Sequence, residues 1–147
     1  MSAKRSRKRS AKPNSSAPRS DATFFVDRSL GQRSVVDALR SAGFPVIGHD
    51  EKFAQNTEDE IWLAEVGQAG WIALSGDKSI RRKRNELDAY KRNRVRAVFL
   101  TSGNLTGQQQ ADVFVRNGRK IQDHAMSASA PAAFSLSKSG ELKPIRL

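Results

Sequence analysis

The chain has 147 residues, with 26 lysines and arginines against 15 aspartates and glutamates, and it contains no cysteine. This length predicts a single domain with one core, and the lack of cysteine excludes a disulfide framework, a thiolate metal site and a thiol nucleophile. No apolar run approaches the roughly 20 residues of a membrane-spanning helix, and the basic start is not followed by an apolar stretch, so we expect a soluble, cytoplasmic protein.

The formal net charge of +11 is concentrated near the start of the chain. Residues 1–20 hold seven basic residues, no acid and no large apolar side chain after Met1, so this segment is expected to be a disordered tail. It could attract nucleic-acid phosphates, or it could be a solvated leader without selectivity. The seven basic residues are Lys4, Arg5, Arg7, Lys8, Arg9, Lys12 and Arg19.

The first half of the remaining chain alternates between short apolar runs and stretches whose apolar residues have helical spacing. Residues 23–27 predict a buried strand that ends in an acid, residues 32–42 a helix that stops at Gly43, and residues 44–48 a second strand. Thr57 and Glu60 have the spacing of a capping box, which predicts a helix that runs to Gly70. Residues 71–75 predict a third strand, and Asp77 follows it closely.

The second half continues the alternation. Residues 78–92 are basic and permit a helix, and residues 95–101 predict a fourth strand. Thr106 and Gln109 form a second capping-box pattern, at the start of a helix expected to reach about Ile121. Residues 132–137 and 141–145 predict a terminal hairpin. The whole pattern predicts a three-layer α/β/α domain over residues 21–147, with a mainly parallel central sheet.

Three aspartates are predicted to meet at one edge of this sheet. Asp27 closes the first strand, Asp77 follows the third, and Asp59 lies in the first turn of a helix. Ligands of open parallel sheets bind beyond the carboxyl ends of the strands, and clustered carboxylates suit Mg²⁺ or Mn²⁺. Each acid taken alone could equally be a turn former or a helix cap.

Four segments in this order resemble the PIN-like ribonuclease domains, most closely the toxins of VapBC-type toxin–antitoxin systems. The resemblance covers roughly residues 23–145. The segments are FFVDRSLG at 24–31, GFPVIGHD at 43–50, TEDEIWL at 57–63 and GWIALSGD at 70–77.

The resemblance implies an endoribonuclease that uses Mg²⁺ or Mn²⁺, a cognate antitoxin as protein partner, and a homodimer. Asp27, Asp59 and Asp77 match the acidic residues with which this family binds its metal and cuts RNA, and Glu86 matches an acid of the closest branch. The chain departs from the family where Gly76 precedes Asp77, because relatives often carry an arginine at that place. A phosphate contact is therefore missing there.

A dense basic stretch directly after Asp77 predicts contacts with the RNA backbone, although a solvated helix face is the alternative. Its leading candidates are Lys78, Arg81, Arg82 and Arg84, and the stretch continues through Lys83, Lys91, Arg92, Arg94 and Arg96.

Several other residues carry weaker sequence signals for a functional role. We expect His49 to be a surface or hydrogen-bonding residue rather than a metal ligand paired with Asp50. Trp62 and Trp71 lie on apolar faces, so core packing is favoured over base stacking. Thr101 ends the fourth strand, where its hydroxyl could touch phosphate, metal or a carboxylate.

Two other functions fit parts of the sequence. A signalling receiver domain also places an aspartate after its third strand, but it needs an acidic pair at the first strand, where this chain has Asp27 beside Arg28. A non-catalytic nucleic-acid-binding module would use the tail and the basic stretch at 78–96 alone. Binding that survives loss of the acids would distinguish this module from a nuclease.

Overall fold

The computed structural model describes residues 22–147, so the predicted basic tail lies outside the described residues. The strands are β1 (Phe24–Val26), β2 (Val46–Gly48), β3 (Ile72–Gly76), β4 (Arg96–Leu100), β5 (Ala132–Leu136) and β6 (Leu142–Ile145). The helices are α1 (Gln32–Ser41), α2 (His49–Lys52), α3 (Asp59–Ala69), α4 (Arg84–Arg92) and α5 (Gly107–Ser127), with a 3₁₀ turn at Ile80–Arg82. No helix in this part of the chain is both long and apolar enough to cross a membrane.

The six strands form one mixed sheet in the order β2-β1-β3-β4-β5-β6. Strands β1 to β5 are parallel, and β6 returns antiparallel to β5 as the predicted hairpin. Val26 at the end of β1 is in register with Gly48 on one side and Leu74 on the other. The chain proceeds from β1 to β2 on one side and then returns to β3 on the other, which opens a crevice at the carboxyl ends of β1 and β3.

Helices cover both faces of the sheet, which confirms the three-layer prediction. Because neighbouring side chains of a strand point to opposite faces, Phe24 and Val26 pack with the core under α1 and α5, while Phe25 packs with the core under α3 and α4. Trp62 is 2% exposed, and its ring stacks on Phe25 with the centroids 5.4 Å apart. The half-buried Trp71 stacks on the same phenylalanine, so both tryptophans pack into the core.

One of the two predicted capping boxes is present. The Gln109 backbone N–H donates to Thr106 Oγ1 at 3.1 Å, and Gln109 Oε1 accepts from the Thr106 backbone N–H at 2.8 Å. The box at Thr57 was wrong: α3 begins at Asp59, and its N-cap Glu58 makes no side-chain capping bond. The Glu60 carboxylate instead accepts hydrogen bonds from Arg92 and Asn93 at the end of α4, which links the two helices.

Two further boundaries differ from the prediction. Helix α5 continues to Ser127, because Gln122 and Ala125 remain buried on its inner face beyond Ile121. The basic segment 78–92 is not one helix, since α4 starts only at Arg84 after the 3₁₀ turn. Ile80 is buried in that turn and anchors the segment to the core.

The Gly67→Ala substitution is expected to destabilise the fold. Alanine normally favours a helix over glycine by about 1 kcal/mol, but a Cβ at Gly67 would overlap the Asn93 carbonyl oxygen. We expect a loss of roughly 1–3 kcal/mol, as for other overpacked sites, measured by urea denaturation. Gln68→Ala on the exposed side of α3 is the control, expected to change stability by less than about 0.5 kcal/mol. A more stable Gly67→Ala variant would contradict the close approach.

The Tyr90 phenol is expected to stay protonated for as long as the protein is folded. Burial raises its pKa, and the charge of Asp27 acts in the same direction, whereas an unfolded tyrosine ionises near pH ~10. Because the unfolded chain releases this proton at a lower pH than the folded protein does, the stability of the fold falls as the pH rises above the unfolded value. Tyr90 is the only tyrosine, so tyrosinate absorbance at alkaline pH should appear together with loss of circular dichroism. Ionisation near pH ~10 in a folded chain would contradict this.

Candidate active site

A pocket of about 520 Å³ opens at the carboxyl ends of β1 and β3. It is lined by all four acids that the sequence singles out: Asp27, Asp59, Asp77 and Glu86. They come from four places in the chain, namely the end of β1, the start of α3, the end of β3 and the first turn of α4. The parallel pairing of β1 with β3, together with the helices that cover their shared face, therefore gathers the four carboxylates around one opening.

Asp27 is held by neutral hydroxyl groups. Its Oδ2 accepts a hydrogen bond from Ser75 Oγ in the neighbouring strand β3, and another from Ser29 Oγ at 3.2 Å. Ser29 Oγ also accepts from the Gly76 backbone N–H at 2.9 Å, which ties the turn after β1 to the end of β3. Within residues 22–147, Asp27 has no basic partner. Its orientation is thus fixed without neutralisation of its charge.

Asp59 lies at the rim of the pocket, with its side chain 64% exposed. Its Oδ1 accepts from Trp62 Nε1 at 3.0 Å and from Arg28 Nη2 at 3.2 Å. The Trp62 ring is itself fixed by its stacking on Phe25. A carboxylate in the first turn of a helix is also stabilised by the partial positive charge of the helix N-terminus.

Asp77 has separate partners on its two carboxylate oxygens. Oδ1 accepts from the Ser79 backbone N–H at 2.9 Å, a turn typical of aspartate, and Oδ2 accepts from Lys83 Nζ at 2.9 Å. This bond to Asp77 raises the pKa of the Lys83 ammonium group, so Lys83 remains charged beside the pocket. Glu86 lines the same pocket, and no ion pair joins it to another described residue.

The donor set suits a hard divalent cation, because all four acids offer oxygen ligands and lie in a water-accessible pocket. In this arrangement, however, no three His, Asp or Glu side chains among residues 22–147 are grouped so that they could hold a metal ion. Asp59 and Asp77 are each paired with a basic side chain of the chain itself. The metal-binding roles of Asp27, Asp59, Asp77 and Glu86 therefore remain a prediction.

Sequence reasoning missed the neutral groups of the site. Ser75 and Ser29 hold Asp27, and the buried Tyr90 hydroxyl lies 3.5 Å from Ser75 Oγ at the pocket wall. The Asp-x-Ser spacing could have pointed to Ser29. Ser75 and Tyr90 carry no local signal, because their proximity to Asp27 depends on the order of the strands and on the packing of α4.

The four predicted RNA-binding residues lie beside the pocket rather than in its lining. Arg81 Nη2 donates to Ser135 Oγ, and Arg84 Nη1 donates to the Arg146 carbonyl oxygen, both at 3.1 Å. Lys78 and Arg82 are exposed and form no ion pair within the described part of the chain. These two side chains are the ones left available for a phosphate.

His49 and Thr101 lie outside the pocket lining, whereas Trp62 lines the pocket. His49 is hydrogen-bonded, with Nδ1 3.2 Å from Asp50 Oδ1, but it is fully buried among Phe25, Phe53 and Trp62 rather than on the surface. Thr101 Oγ1 donates to the Leu136 carbonyl oxygen at 3.4 Å.

Comparison with known proteins agrees with this architecture. The family model described as "PIN like domain" matches residues 22–102. A curated protein of Mycobacterium tuberculosis (strain ATCC 25618 / H37Rv), named "Putative ribonuclease VapC45", is 33% identical over 114 residues, which is 75% of this chain and 77% of that protein. No solved structure matches significantly. The chain therefore belongs to the PIN-like domain family, among its VapC-type members.

Proposed function

We propose that the protein is a metal-dependent endoribonuclease that hydrolyses phosphodiester bonds of RNA. The observation that carries this proposal is the pocket at the ends of β1 and β3, where four carboxylates from separate elements face one opening. The similarity to a protein named as a ribonuclease supports RNA as the substrate.

Asp27, Asp59 and Asp77 would hold the divalent ion, Mg²⁺ or Mn²⁺, with Glu86 as a further ligand. A bound ion of this kind activates a water molecule and offsets the charge that develops on the phosphoryl oxygens. The chain's own hydrogen-bond donors would orient these ligands: the Ser75 and Ser29 hydroxyls bond to Asp27, and the Ser79 backbone N–H bonds to Asp77.

The surroundings of the pocket supply contacts for the RNA backbone. Lys78 and Arg82 are exposed next to Asp77 in sequence and are free of ion pairs within residues 22–147. Arg81 and Arg84 belong to the same basic stretch. Each donates one hydrogen bond within the domain, Arg81 to the Ser135 hydroxyl and Arg84 to the Arg146 carbonyl oxygen. Such contacts bind any sequence, since they recognise phosphate rather than base edges.

By similarity to the VapC-type members, we also propose a biological setting. The protein would be the toxin of a type II toxin–antitoxin system in the cytoplasm, held inactive by a cognate antitoxin protein, and it would form a homodimer. The nuclease domain would comprise residues 21–147, and residues 1–20 would be a basic arm that attracts RNA.

Loss of a single site carboxylate should abolish cleavage and leave the fold intact. Asp27→Asn and Asp77→Asn keep the side-chain volume but remove a charge, so they weaken metal binding and relieve repulsion between the acids. We expect no cleavage of total RNA in Mg²⁺ or Mn²⁺, as for the wild type in EDTA, and a melting temperature equal to the wild type or slightly higher. Asp88→Asn, an exposed residue of α4 outside the pocket lining, is the matched control and should remain active.

Full activity of both site variants, or cleavage that persists in EDTA, would refute the metallonuclease. RNA binding without any cleavage, unchanged by the Asn substitutions, would instead support the nucleic-acid-binding module.

Neutralisation of the basic arm should weaken RNA association without loss of the chemistry. In this variant the seven lysines and arginines of residues 1–20 are replaced by glutamine. Fewer counterions are then released on binding, so the affinity for RNA should fall. The plot of log affinity against log salt concentration should become shallower by about 0.7 for each lost phosphate contact. Fluorescence anisotropy with a labelled RNA at several salt concentrations measures this. An inactive variant with an unchanged melting temperature would instead place part of the active site in residues 1–20.

A further inference from the structure

Lys83 is the basic side chain that contacts Asp77 in the pocket. It lies between the 3₁₀ turn and α4, and its Nζ is 2.9 Å from Asp77 Oδ2. The lysine side chain is 43% exposed, whereas that of Asp77 is 17% exposed. An ion pair at such a surface contributes only about 0–1 kcal/mol to stability, so the fold loses little when this pair opens.

The hydrogen bonds of Asp77 show which of its oxygens a ligand could use. Oδ1 accepts from the Ser79 backbone N–H, and this bond fixes the turn after β3. Oδ2 is the oxygen left for a cation, and Lys83 occupies it. A divalent ion that bound this oxygen would meet a like charge within about 3–4 Å, so the ammonium group would have to move away.

The other basic side chain of the pocket is held more firmly. The guanidinium of Arg28 bonds to Asp59 and also to the Gln55 carbonyl oxygen. The Lys83 ammonium group has Asp77 as its single hydrogen-bond partner within the described part of the chain. Of the two ion pairs, the one at Asp77 is therefore the easier to exchange.

We propose that Lys83 competes with the divalent ion for Asp77 Oδ2 and that, once displaced, its ammonium group binds a phosphate of the RNA at the pocket. This inference rests on the proposed nuclease function. Lys83 would in this way supply a basic group beside Asp77, which the neighbouring Gly76 cannot supply because it has no side chain. The short tether to α4 keeps the displaced ammonium near the pocket, because Glu86, three residues later, lines it.

The first test is metal binding without RNA. Calorimetric titration with Mn²⁺ compares the wild type with Lys83→Gln and with Lys78→Gln, which removes the same charge from the same segment without a contact to Asp77. We expect Lys83→Gln to bind Mn²⁺ about twofold to fivefold more tightly, the factor that corresponds to loss of an exposed ion pair. Lys78→Gln should change the affinity by less than about twofold, since Lys78 is exposed to solvent and forms no ion pair with Asp77.

The second test is RNA cleavage at saturating Mn²⁺. Lys83→Gln should cleave at least about tenfold more slowly, although it binds the metal better, because a charge-assisted contact to phosphate is lost. Lys83→Arg keeps the charge and should recover most of the rate. Opposite changes in metal affinity and cleavage rate are not expected from a merely structural ion pair, and thermal melting checks that each variant is folded.

The outcomes separate this inference from the proposed function. A wild type that binds no Mn²⁺ would refute the metal site itself. A wild type that binds Mn²⁺ with the same affinity as Lys83→Gln would overturn the competition alone. An unchanged cleavage rate at saturating Mn²⁺ would overturn the phosphate contact.

Discussion

The structure depends on the parallel pairing of β1 with β3 at the centre of the sheet. Both strands are buried on both faces, and Val26 in register with Leu74 brings their carboxyl ends level. The Asp27 backbone N–H continues this pairing by a hydrogen bond to the Leu74 carbonyl oxygen at 2.9 Å. Asp27 is thus attached to the most firmly packed part of the fold, and Asp77 leaves the neighbouring strand two residues beyond Ser75. Main-chain pairing therefore sets the positions of Asp27 and Asp77, whereas Asp59 comes from the start of α3.

The three aspartates of the pocket can lie around one opening because each carboxylate has its own hydrogen-bond donors. Asp27 receives hydroxyl hydrogen bonds, Asp59 has an indole N–H and a guanidinium, and Asp77 has a backbone N–H and an ammonium group. Asp27, at the end of β1, is the one of the three with neutral partners alone. The two basic partners, Arg28 and Lys83, lie outside the regular strands and helices. Asp27 therefore keeps an unpaired negative charge in the pocket, while Asp59 and Asp77 each have a basic partner.

Much of the fold was predictable, because buried strands produce continuous apolar runs and the acids follow them directly. The failures have physical causes that lie outside local sequence. Thr57 and Glu60 have the spacing of a capping box, but Arg92 and Asn93 of α4 bind Glu60 instead. Helix α5 continues past its expected end because Gln122 and Ala125 are buried on its inner face. At the site, the shared location of the acids followed from the topology, whereas the contacts of Ser75, Tyr90 and Lys83 depend on strand order and on the path of the chain into α4.

The bond between Trp62 and Asp59 gives the pocket an intrinsic optical reporter. The chain has two tryptophans, and both stack on Phe25, yet Trp62 is the one whose indole N–H donates to a carboxylate of the pocket. The emission of an indole responds to the charge and hydrogen bonding around it, so any cation that withdraws Asp59 from this bond alters the fluorescence of Trp62. Trp71, which lacks that bond, supplies the constant background. Binding of such a cation would therefore be readable in the unlabelled protein, without turnover of a substrate.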